Sequence, residues 1–75
     1  MSSFRSMTAI IEREGDSFVS LCPELDIASA GASIEEARTN LVEALTLFFE
    51  VADASEVKRR FHSEVFVTRV EVRIG

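Results

Sequence analysis

An α+β fold, with an antiparallel sheet of three main strands and one main helix packed on one face, is predicted for this 75-residue chain by three observations. Two short runs near the N-terminus alternate apolar and polar residues on either side of a glycine-containing turn, as a β-hairpin requires. A long central segment repeats its apolar residues at helical spacing. A closing run returns to alternation. The predicted order is β-β-β-α-β with a connecting segment before the last strand, and the length accommodates one domain spanning residues 1–75.

The first strand is expected from Phe4 to Glu14, with Met7, Ala9 and Ile11 toward the core and Ile10 among polar residues on the other face. Glu14-Gly15-Asp16-Ser17 supplies turn residues, and the alternation from Phe18 to Cys22 completes a hairpin. Pro23 has no N–H for a sheet ladder, so Pro23-Glu24-Leu25-Asp26 leaves the second strand as a loop. A brief third strand over Ile27 to Ala30 ends at Gly31, where a turn requiring positive φ is expected.

Ser33-Ile34-Glu35-Glu36 has capping-box spacing and starts the helix. At 100° per residue, Ile34, Ala37, Leu41, Ala44, Leu45 and Phe48 share one side, while Glu36, Thr39, Glu43, Thr46 and Glu50 occupy the other. Val42 and Phe49 widen the apolar stripe and Leu47 lies outside it, more apolar surface than one sheet face needs. Either the following segment folds back over these residues or a subunit or partner covers them. Asp53 to His62 is a linker or a short second helix, with Ser55 before Glu56 as a cap signal. The final strand, Glu64 to Ile74, sets Phe66, Val70, Val72 and Ile74 against Val65, Val67, Arg69, Glu71 and Arg73.

Apolar residues at 47% and charged residues at 28% describe a chain that folds. A net charge of -5 speaks against phosphate-backbone binding and favours a basic protein partner. One cysteine, Cys22, forms no internal disulfide and has no zinc-like Cys/His spacing, which fits a reducing cytoplasm. No export signal is read over Met1 to Arg13 and no membrane span anywhere. A small core makes a homodimer or higher homo-oligomer the expectation.

The run Cys-Pro-Glu-Leu-Asp-Ile-Ala-Ser-Ala-Gly-Ala-Ser-Ile-Glu-Glu-Ala-Arg-Thr-Asn-Leu-Val-Glu-Ala-Leu-Thr-Leu-Phe-Phe-Glu, Cys22 to Glu50, resembles the core motif of HicB-family antitoxins. That family shows a Pro-x-Leu-Pro-Gly turn, a Gly-x-Thr or Gly-x-Ser step, then Glu-Glu-Ala, Asn and Glu-Ala-Leu along one helix. The closing Thr-Arg-Val-Glu-Val is similar to the last strand of its short, stand-alone members. Asp26-Ile27 departs from the pattern by standing where Pro-Gly is common. The resemblance implies a partial RNase H-like domain that sequesters a HicA-like toxin, a small basic protein that cleaves messenger RNA. Longer members add an operator-binding helix-turn-helix or ribbon-helix-helix domain. None follows the last strand here, so no direct nucleic-acid binding is expected. An orphan oligomeric adaptor on the same fold and a residual RNase H-like nuclease are the alternatives.

Glu24 and Asp26, on the motif loop, are the candidate partner contacts, and Phe49 and Leu47 the candidate oligomer contacts. RNase H chemistry needs convergent carboxylates around divalent metals. The spacing of Glu12, Asp16, Glu24 and Asp26 does not predict convergence. His62 has no dyad partner in sequence, Cys22 reads as a small core residue, and Lys58-Arg59-Arg60 as solvated or helix-end charge. Catalytic, cofactor-binding and metal-binding residues are therefore all expected to be none.

Overall fold

The hairpin forms because Gly15, at φ 63°, closes a two-residue turn between β1 (Ile10–Glu14) and β2 (Ser17–Cys22). The structure is a computed structural model that describes residues 4–75, so the first three residues of the Met1–Arg13 stretch lie outside it. β3 (Ile27–Gly31) pairs antiparallel with β2, giving a sheet of order β1-β2-β3. The α+β layout holds: a three-stranded antiparallel sheet is followed by helices α1 (Ile34–Val51) and α2 (Ala54–Arg60). No helix among the described residues is long and apolar enough to cross a membrane.

Register fixes the faces. Ile11, Ser20 and Ser29 lie side by side, as do Arg13, Phe18 and Gly31, on the face that α1 covers. Ser20 is fully buried there and its hydroxyl donates to the Ala37 carbonyl at 2.8 Å, joining sheet to helix. The core is Cys22, Leu25, Leu41 and Phe48, with Met7, Ile27, Leu45, Ala52, Val57 and Phe61 packed around it.

The capping box forms as the spacing predicts. The Ser33 hydroxyl accepts from the Glu36 N–H at 3.0 Å, while the Glu36 carboxylate reaches back to the Ala32 N–H at 2.9 Å. Asn40 donates to the Ala30 carbonyl at 2.8 Å, clamping the end of β3 to the helix. Asp53, not Ser55, caps α2: its carboxylate accepts from the Glu56 N–H at 2.9 Å and from the Ser55 hydroxyl at 2.8 Å. Both bonds hold the Asp53 carboxyl below its ordinary range, the Glu56 N–H foremost.

Three expectations need correction. The first strand begins at Ile10 instead of Phe4, because β2 stops at Cys22 and Pro23 turns the chain away, leaving residues before Ile10 no strand to pair with. Gly31 is required for space and not for positive φ: a Cβ there would stand 2.5 Å from the Ala37 nitrogen. The left-handed residue is Asp26, at φ 55°, in the turn that leads into β3. Finally, the segment from Glu64 to Ile74 forms no strand; it runs on beyond α2 without helix, turn or ladder partner. Alternation assigns a segment two faces but supplies no neighbour to hydrogen-bond with.

Candidate protein-binding surface

The loop after β2 is where the chain's separate parts are tied together. Glu24 is only 8% exposed, and its carboxylate accepts from the Thr8 N–H at 3.1 and 2.9 Å and from the Thr8 hydroxyl at 2.8 Å. The side chain thus replaces the strand partner that residues before Ile10 lack. The Cys22 thiol donates to the same carboxylate at 3.4 Å. Burial alone would raise the Glu24 pKa, but the bonds from the Thr8 hydroxyl, its own N–H, the Thr8 N–H and the Cys22 thiol together outweigh it and leave it below the ordinary value. The Cys22 thiol is pushed up, mainly by burial and further by the neighbouring carboxylate.

The same loop receives α2. The His62 N–H donates to the Glu24 carbonyl at 2.7 Å, and the Arg60 guanidinium donates to the Leu25 carbonyl at 3.1 Å while stacking 5.0 Å from the Phe48 ring centroid. Arg5 lies 4.9 Å over the Phe61 ring, tying the N-terminal stretch to the end of α2. Thr8, Arg5, Ser20 and Arg60 carry these ties. No sequence motif marked the first three, and Arg60 read as helix-end charge because its partner, the Leu25 carbonyl, lies 35 positions away.

The two candidate contacts on the loop therefore part company. Glu24 faces inward with its carboxylate bonded to Thr8, whereas Asp26 is exposed at the tip of the turn. Leu47 and Phe49 are both exposed, as is Val42, because α2 packs toward Leu25 and Phe48 and leaves that flank of α1 uncovered. Among the described residues no three His, Cys, Asp or Glu side chains cluster as a metal site.

The sheet face away from α1 is the other open surface. Cross-strand neighbours Ile10, Leu21 and Ala28 form one row and Glu12, Val19 and Ala30 the next. Ala28 and Ala30 are exposed, and Ile10, Val19 and Leu21 are half-buried. The strands place no Lys or Arg on this face. Glu12 and Glu14 lie along its β1 side, Asp16 in the hairpin turn and Asp26 in the opposite turn. It is an apolar centre with acids along one side and at both ends.

Set against protein-family models, curated proteins and solved structures, the chain matches none of them.

Proposed function

We infer that this protein is a HicB-like, antitoxin-type binding module on a partial RNase H-like domain, and that it neutralises a small basic HicA-like ribonuclease by covering it. The observation that carries the reading is the open sheet face: apolar along Val19, Leu21, Ala28 and Ala30, free of strand-borne cations and bordered by acids in a chain of net charge -5. Such a surface speeds encounter with a cationic protein through its charge and holds it through its apolar centre. Asp26 is exposed in the β2–β3 turn at the end of this face, which supports it as the loop residue that contacts the partner. The motif from Cys22 to Glu50 supports the same family reading.

The test is co-expression with the small basic protein encoded beside it, scored by rescue of growth and a complex on size exclusion. An Ala28→Arg, Ala30→Arg double variant adds two cations to the exposed face without touching the α1 side. Rescue by the parent chain and its loss in the folded double variant are expected. Full rescue by the double variant removes the sheet face from the reading. No such neighbour, or no rescue by the folded parent chain, removes the antitoxin function and favours an adaptor with another partner.

A further inference from the structure

The segment that fails to form a strand is a long stretch of exposed apolar residues. Phe66 is 85% exposed and Ile74 90%, with Val67, Val70 and Val72 also open to solvent. The chain measures 52 × 28 × 19 Å, with a radius of gyration of 14.5 Å where a compact domain of this length has about 11 Å. Its accessible surface is 6365 Å², against about 4,600 Å² for a compact monomer of 8.3 kDa. The excess exceeds the roughly 800 Å² that each partner contributes to a stable interface.

The chain also carries a place for such a segment. α1 lies chiefly over β3 and β2 and touches β1 least. This leaves a groove of about 720 Å³ between Phe4–Ala9 and α1, walled by Met7, Leu41, Val42, Leu45, Thr46 and Phe49. Next in the chain after Ala9, β1 has its far edge unpaired, because among the described residues it bonds only to β2. Glu64 to Ile74 is 11 residues, the same span as Phe4 to Glu14. A strand of that length, about 36 Å, is long enough to cover the five-residue edge of β1 and the stretch before it.

Both faces of the segment match this position. Phe66, Val70, Val72 and Ile74 would point with Met7 and Ile11 into the groove below α1. Val65, Val67, Arg69, Glu71 and Arg73 would lie on the opposite sheet face, where one arginine at a time can stand across from Glu12 or Glu14. An uncovered apolar edge of this kind invites pairing unless a strand closes it. The segment leaves its own body at His62, whose N–H bonds the Glu24 carbonyl, and none of its residues lines its own groove.

We propose that two copies of this chain exchange residues 64–74, each segment adding as a fourth strand beside β1 of the other copy and filling the groove under its α1. The contact is isologous and closes on itself as a two-fold dimer. It uses the edge of β1 and the groove under α1, and leaves Val19, Leu21, Ala28 and Ala30 on the other sheet face uncovered.

Light scattering after size exclusion, from low to high micromolar concentration, reads the result directly. The parent chain is expected at twice 8.3 kDa. Val70→Asp, in the segment, and Val42→Asp, in the groove wall, are each expected to give the monomer mass with the helical circular dichroism retained, since both positions are exposed within one chain. If Val42→Asp loses its helical signal, Thr46→Arg on the same wall takes its place. A monomeric parent chain overturns the proposal. A dimeric Val70→Asp overturns it too, because the contact then excludes the segment. A monomeric Val70→Asp beside a dimeric groove variant shows the segments pairing with each other, and also overturns it.

Discussion

Replacing Glu24 by Gln separates a structural carboxylate from a partner-binding one. The carboxylate takes bonds from the Thr8 N–H and hydroxyl through both of its oxygens. Gln offers one acceptor oxygen and sets an NH₂ against a donor, so at least one charge-assisted bond is lost in a site only 8% exposed. Hydrogen bonds to charged groups contribute about 1.5–3 kcal/mol, which places the loss near 2 kcal/mol. For a domain of this size that lowers Tm by roughly 8–16 °C. The folded-state pKa of Glu24 lies below its ordinary value of 4.5, so its stabilisation is complete above that value and drains away as pH falls through the folded pKa. The gap between parent and Glu24→Gln should thus be full at pH 7 and narrow steadily below pH 4.5. Urea unfolding across pH at one fixed protein concentration measures it. A Gln variant within about 0.5 kcal/mol of the parent at pH 7, the range of ordinary surface substitutions, would refute the lock. So would a gap that persists unchanged to low pH.

Gly31→Ala forces a Cβ to within 2.5 Å of the Ala37 nitrogen and 2.8 Å of the Glu36 carbonyl carbon, both backbone atoms. It is expected to cost about 3 kcal/mol by chemical denaturation, at the upper end for overpacking. Asp53→Ala removes the α2 cap and is expected to lower the denaturation midpoint, with faster amide exchange at Glu56, whose N–H the carboxylate binds.

How much of this was legible in sequence follows from the range of each interaction. The hairpin turn, the Ser33–Glu36 box and the Ala37, Leu41, Phe48 stripe are set within a few residues of themselves, and each appears where the pattern places it. Gly31 was visible as necessary but for the wrong reason: a glycine's need for φ and its need for space look alike until the helix that crowds it is in position. The role of Glu24 was not legible, because its partner Thr8 lies 16 positions away in a stretch that reads as ordinary strand. The exposed flank at Val42, Leu47 and Phe49 was legible as surplus apolar surface. Where α2 would go was not, since that depends on Arg60 finding the Leu25 carbonyl.

The motif that carries the family resemblance turns out to be architectural. Ser33 and Glu36 cap α1, Ala37 accepts the Ser20 hydroxyl, Asn40 clamps the Ala30 carbonyl, and Gly31 lets helix and sheet touch. Together these residues build the corner between β3 and α1, and that corner positions α1 over β3 and β2 and away from β1. These roles are structural, so the motif bears on the fold more directly than on the partner. Specificity has to reside in what the corner leaves uncovered, the acid-bordered sheet face and the groove beside β1. Substitutions at Gly31 or Asn40 should therefore weaken folding and binding together, whereas Ala30→Arg or Val42→Asp should alter one association each and leave the domain intact.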